Sequence, residues 1–236
     1  MKQNFTIRNI IENLLNIKEE EFAHYFLSYD TLYRKFNHKE KNQYVKNAIE
    51  CGKKESYELK KIYKNINDIS YNFNLKIEKL DGTIESNGNF VFAQYIEPDN
   101  IKISMDCVNK AYNLIKEYNL EDYFFNTSLI NLLLAHELFH KIEYNKNKTI
   151  YTQTEKIELW IKPFSNKSKI MQLSEIAAMS FVKNILDLKF SPYIMDYLFI
   201  YCYNKDMCYK LYYDTIQLIN ELNAYNYNNL KKENNL

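Results

Sequence analysis

Residues 132–142 read LLLAHELFHKI, and the rest of the chain is best read outward from them. His136 and His140 stand four residues apart with Glu137 after the first, an HExxH pattern. On an α-helix a four-residue step puts both imidazoles on one face, about 6 Å apart along the axis. That suits two neighbouring ligands on one Zn²⁺. Glu137 falls on the shoulder of the same face, where its carboxylate can take a proton from a water activated by the metal. The helix is predicted by its surroundings. Leu129, Ile130, Leu132, Leu133, Leu134, Ala135, Leu138, Phe139 and Ile142 make it apolar almost all round, which marks a buried helix. Asn126, Thr127 and Ser128 offer N-caps. Two imidazoles and a carboxylate in such a helix are costly unless something satisfies them. A metal does so; hydrogen bonds to backbone or tyrosine are the plainer alternative.

Two histidines leave a catalytic zinc one protein ligand short, with water in the fourth place. The chain has four histidines and none follows His140, so the third ligand must be a carboxylate, a cysteine, or one of His24 and His38. Glu143 shares the helix face but lies seven residues from His136, about 10.5 Å along the axis. That is too long a spread for three ligands on one ion, so Glu143 reads as a support for the site or an exposed charge. Glu175 is the better candidate. It stands in LSEIAAMSFV, residues 173–182, a lone acid early in an apolar helix. The small residues Ala177, Ala178 and Ser180 there would allow close packing on the metal helix. Glu155, Glu158 and Asp187 remain alternatives.

Composition bounds the rest. A chain of 236 residues with 46% hydrophobic residues can build a real core as one domain or a domain with a helical extension. The net charge of +1 gives no bulk attraction to nucleic acid or membrane. Three Gly and three Pro favour long helices, and the 22 Tyr read as compositional bias rather than a binding surface. Cys51, Cys107, Cys202 and Cys208 show no C-x-x-C spacing and read as reduced thiols. The first residues form an amphipathic pattern carrying Arg8 and Glu12, unlike a signal peptide. No apolar run approaches 18 residues; the greasiest, Tyr193–Tyr203, is interrupted by Asp196. The expectation is a cytoplasmic protein with no membrane partner and no direct role for nucleic acid.

Taken in order, residues 1–70 read as a helical N-terminal region, 71–224 as the domain holding the metal helix, and 225–236 as a polar, frayed tail. The front carries apolar repeats at Ile7, Ile10, Ile11, Leu14 and Leu15, then an aromatic stripe from Phe22 to Phe36, then a charged helix over about 40–70. Phe73, Leu75 and Ile77 alternate as in a strand, and Phe90–Ile96 and Ile101–Met105 follow as second and third strands. Asp81-Gly82, Asn87-Gly88 and Glu97–Asn100 read as the turns between. The expected fold is α+β and predominantly helical, with a small antiparallel sheet beside the metal helix. An edge strand there is one an extended peptide can pair with. After it, 145–154 reads as loop, 151–162 as an ambiguous strand or short helix, and 165–169 as a polar linker. Helices are expected from Ile170 to Leu188, Pro192 to Tyr203 and Lys205 to Ala224.

With AHELFH at 135–140 and Glu175-x-x-Ala178-x-x-Phe181 downstream, the chain resembles the ImmA/IrrE-type metallopeptidases of the zincin class over about residues 60–190. The resemblance implies a zincin-like fold, Zn²⁺ or another divalent ion held by His136, His140 and Glu175, and Glu137 as base. It also implies a cytoplasmic protease acting on a protein or peptide substrate, such as a helix-turn-helix repressor. Ala177 stands where that family often has a second acid, the histidine-to-glutamate gap is somewhat long, and the helical front has no counterpart. Tyr144 and Tyr151 are candidates for stabilising the oxyanion. Two other readings stay open: a zincin-fold binding or regulatory module with a structural or inactive metal site, and a regulator that binds DNA through residues 1–60.

Overall fold

Two asparagines organise the first third of the chain. Asn37 accepts the Glu40 N–H and starts a 23-residue helix; Asn65 accepts the N–H groups of Asn67 and Asp68 and starts a short one. The structure, a computed structural model, describes residues 5–86, 89–124, 127–159 and 166–233. Its helices are α1 (Ile7–Leu14), α2 (Glu19–Leu27), α3 (His38–Lys60), α4 (Ile66–Asn72), α5 (Met105–Glu117), α6 (Leu129–Asn145), α7 (Tyr151–Thr154), α8 (Gln172–Ile185), α9 (Ile194–Tyr203) and α10 (Lys205–Glu233). Its strands are β1 (Lys76–Leu80), β2 (Ile84–Ser86), β3 (Asn89–Val91), β4 (Ala93–Ile96), β5 (Asn100–Ser104), β6 (Lys156–Glu158) and β7 (Lys167–Lys169). The fold is α+β and mostly helical. No helix among the described residues is long and apolar enough to cross a membrane.

The sheet departs from the expected antiparallel meander. It is mixed, in the order β1-β5-β4: β5 pairs antiparallel with β4 but parallel with β1, with Ile77 opposite Ile101. The segment between β1 and β4 folds into its own hairpin, β2-β3, instead of joining the sheet, so β1 lies against β5, whose direction it shares. The predicted first strand is also displaced. Phe73 ends α4 and Asn74 takes a left-handed turn (φ 54°), so extended pairing starts only at Lys76. The Asn87-Gly88 turn lies outside the described residues, as do Asn126 among the proposed caps and residues 160–165.

Other boundaries moved for local reasons. The charged helix over 40–70 is two helices, α3 and α4, parted before the Asn65 cap. The supposed linker at 165–169 contains β7, which pairs with β6. The helix expected to stop at Ala224 runs on to Glu233. Nothing in 225–233 is Gly or Pro, and Tyr225 stacks on His38 with ring centroids 3.7 Å apart.

One buried core runs from Ile7 to Tyr212, with α6 inside it: Leu129, Ala135, Leu138 and Phe139 are fully buried. The front helices join this core through α3, which lies along α8. The small residues of α8 serve that contact: a Cβ on Gly52 of α3 would stand 2.1 Å from the Ala177 carbonyl oxygen and 2.8 Å from the Phe181 nitrogen. Ser180 Oγ donates to the Ile49 carbonyl at 3.0 Å. The expectation that Ala177 and Ser180 fit α8 against the metal helix is therefore corrected; they fit it against α3, while Phe181 meets Phe139 of α6. Replacing Gly52 with Ala adds helix propensity worth about 1 kcal/mol, yet the methyl meets backbone that has nowhere to go. Gly52→Ala should lower the unfolding free energy by about 2 kcal/mol or more in denaturant titration; a stabilised variant would contradict the close contact.

Candidate metal centre

Ser128 caps α6 by accepting the Asn131 N–H at 3.2 Å. Eight residues later the helix presents His136, and one turn on His140. The two Nε2 atoms lie 3.2 Å apart. From α8, Glu175 approaches with Oε2 at 3.2 Å from His136 Nε2 and Oε1 at 3.7 Å from His140 Nε2. One donor atom from each of the three lies within 4.8 Å of the others. Among the described residues this is the one such group that can hold a metal ion. Two ligands about 2.0–2.1 Å from a tetrahedral zinc stand roughly 3.3 Å apart, so the observed separations fit the span of one ion. The His₂Glu donor set is also the chemistry zinc takes in catalytic sites.

Glu175 is delivered by the helical front as much as by α8 itself. Met171, at the start of α8, makes no capping bond with its side chain. Asp30, buried in the segment after α2, substitutes: one carboxylate oxygen accepts the Gln172 N–H at 3.1 Å and the other the Leu32 N–H at 2.9 Å. Glu175 then falls in the first turn, where the helix dipole favours a negative charge.

Glu143 is buried and lies outside the group of three donors. Its Oε2 accepts His140 Nδ1–H at 2.9 Å and the Ser174 hydroxyl at 2.5 Å; its Oε1 accepts Gln153 Nε2–H at 3.2 Å and the Thr152 hydroxyl. Holding the proton on Nδ1 turns the lone pair of Nε2 towards Glu175, which is the tautomer a ligand needs. Glu143→Gln should keep the fold and weaken zinc binding by about 10–100-fold in a competition titration with a chelating dye. Unchanged affinity would show that the imidazole needs no such support.

Electrostatics couple these groups tightly. Burial pulls the His140 pKa down, but the hydrogen bond to Glu143 and the charges of Glu175 and Glu137 outweigh it and lift it to about 10. His136 is raised as well: burial opposes protonation, and the hydrogen bond and charge of Glu175 overcome it. Burial pushes the Glu175 carboxyl up, but its hydrogen bond to His136 and the two imidazoles bring it to about 2. Without metal, protons take the metal's place between the donors, so metal uptake must expel them.

Glu137 stands beside the donors, 8% exposed, with Oε2 accepting the Tyr95 N–H at 2.7 Å. Tyr95 belongs to β4, so the sheet edge holds this carboxylate. A cleft of about 510 Å³ opens here, lined by His136, Glu137, His140 and Glu175, by β4, and by side chains from α8 and α9.

The alternatives for third donor are elsewhere. Asp187 pairs with Lys60 at 2.6 Å, Glu158 with Lys167 at 3.8 Å, and Glu155 is outside the donor group. His24 is half-buried, and its partial burial lowers its pKa to about 4; His38 is the partner of Tyr225. The four cysteines are free thiols. Neither Tyr144 nor Tyr151 is among the residues lining the cleft. Sequence reasoning missed Tyr95, whose contribution is a backbone N–H, and Ser174 and Thr152, which brace Glu143. It noticed Asp196 only as a break in an apolar run, yet this residue lines the cleft.

Comparison of the chain with models of protein families, with curated proteins and with solved structures finds no match.

Proposed function

We propose that this chain is a zinc-dependent metallopeptidase of the zincin class. The observation that carries the reading is the triangle of His136, His140 and Glu175 donors at the spacing of one tetrahedral ion, with Glu137 beside it in the same cleft. A purely structural zinc site is closed by four protein ligands; an open cleft beside three donors favours catalysis.

Zinc bound there supplies Lewis acidity that activates water and polarises the scissile carbonyl. The chain does the rest. Glu143 holds His140, Asp30 holds the helix that bears Glu175, and the Tyr95 N–H pins one oxygen of Glu137. The other oxygen is left to take the proton of the attacking water and return it to the leaving amine. The edge of the sheet offers a place for substrate. Phe92 bonds to Ser104 of the β5 side, and the antiparallel alternation turns Gln94 and Ile96 the same way. Ala93 and Tyr95 therefore turn their backbone groups to the cleft; with the Tyr95 N–H held by Glu137, the Ala93 groups and the Tyr95 carbonyl are left for an extended peptide to pair with. The likeness to ImmA/IrrE-type proteases directs attention to a regulatory protein as the substrate.

The test is chemical. Purified protein should hold about one zinc per chain and cut members of a synthetic peptide mixture, with cleavage lost on chelation and restored by zinc. Zinc bound stoichiometrically with no cleavage of any peptide or unfolded protein would instead support a binding module built on the same site.

A further inference from the structure

The cleft beside the metal donors has mainly apolar walls, among them Phe26, Leu133, Met179, Pro192 and Phe199. One acidic lining group belongs neither to the donors nor to the base. Asp196 lies in the first turn of α9, three residues before Phe199, so the two share a helix face. Among the described residues, no hydrogen bond or ion pair reaches its carboxylate, and no Lys or Arg lines the cleft. Its charged neighbours are His136 and Glu175. A half-buried carboxylate without a cation partner is costly to keep. Here it sits at the wall of an accessible cavity, beside surfaces that suit a hydrocarbon chain.

We infer that this part of the cleft is a selectivity subsite for a basic side chain next to the scissile bond: the apolar walls take the aliphatic stem of a Lys or Arg, and the Asp196 carboxylate takes its cationic end. The inference rests on the peptidase reading above and adds the class of residue at which the chain cuts. Asp196 is outside the group of donors close enough to share an ion, so its carboxylate is not claimed by the metal.

The experiment uses the full chain loaded with zinc, wild type beside Asp196→Asn. An equimolar mixture of synthetic peptides, identical except for the residues flanking the central bond, is digested and the products are read by mass spectrometry. Wild type should favour peptides with Lys or Arg at one flanking position. Asp196→Asn should lower kcat/KM for those peptides by about 30-fold or more and leave Leu- and Met-flanked peptides and zinc content unchanged. Cleavage without basic preference, an equal loss on every peptide, or zinc lost from the variant would overturn the inference. A second readout needs no turnover: butylguanidinium, titrated calorimetrically onto both proteins, should bind wild type and not the variant. If wild type cuts nothing, the peptidase reading falls, and the titration alone decides the subsite. Binding lost in the variant supports it, and binding equal in both, or absent from both, removes it.

Discussion

Glu137→Gln is expected to keep about one zinc per chain and to lower peptide hydrolysis by about 10³-fold, within the range seen when a positioned general base is removed. The substitution is nearly isosteric. The amide oxygen of Gln can still accept the Tyr95 N–H that Oε2 accepts at 2.7 Å, so the link from β4 to α6 survives. None of the three donors changes. What disappears is a group that can take up a proton and give it back. The measurement is kcat/KM on a peptide that the wild type cuts, with zinc content and thermal unfolding taken on the same samples. Near-normal hydrolysis would sink the assignment of Glu137 as base, whatever the metal content.

Glu175→Ala should lose both zinc and activity, with residual hydrolysis at the background of the metal-free protein. It removes one of three donors, and also the charge that holds His136 and His140 protonated in the absence of metal. This variant has a pH signature. The folded-state pKa of His140 is raised from 6.5 to about 10, so its contribution to metal-free stability is complete below about pH 6.5 and is lost as pH climbs towards 10. Glu175 is depressed from 4.5 to about 2; its contribution is present above about pH 4.5 and lost as pH falls towards 2. Metal-free wild type should therefore lose Tm between pH 6.5 and 10. Glu175→Ala should show a shallower slope over that window, because one of the causes of the shift is gone. Zinc reverses the sign, since affinity grows as protons leave the donors. Retention of zinc by Glu175→Ala would move the third ligand elsewhere and remove the geometric basis of the proposed function.

Much of this centre could be read from local patterns. The four-residue step of the histidines is a statement about helix pitch, and the fold brings both rings to one point. The distance of Glu143 from His136 argued against a shared ion, and the residue is found behind His140. Glu175 stood out as a lone acid in an apolar helix. The same argument applied to Asp196, in the greasiest run of the chain, but there the short run drew attention to membranes and away from the cleft. What sequence could not carry was partner choice. Ala177 and Ser180 announce a close contact without naming α3 as the helix they meet, and Gly52 is a small residue in a charged helix until α8 is laid on it. The parallel pairing of β1 with β5 depends on a hairpin leaving the sheet. The hold on Glu137 comes from a backbone N–H, which every residue but proline has.

The seat of α8 on α3 also bears on the order in which the chain is made. Glu175 follows His140 by 35 residues, and its helix settles against a surface supplied by Gly52 and Ile49, which leave the ribosome long before. A nascent chain that has exposed HELFH holds two donors and Glu137 but no third donor. Competence for hydrolysis is then expected only after residues near 185 have emerged and docked. On the proposed function, the fold would act as a timer, keeping the unfinished chain inert beside its own unfolded segments.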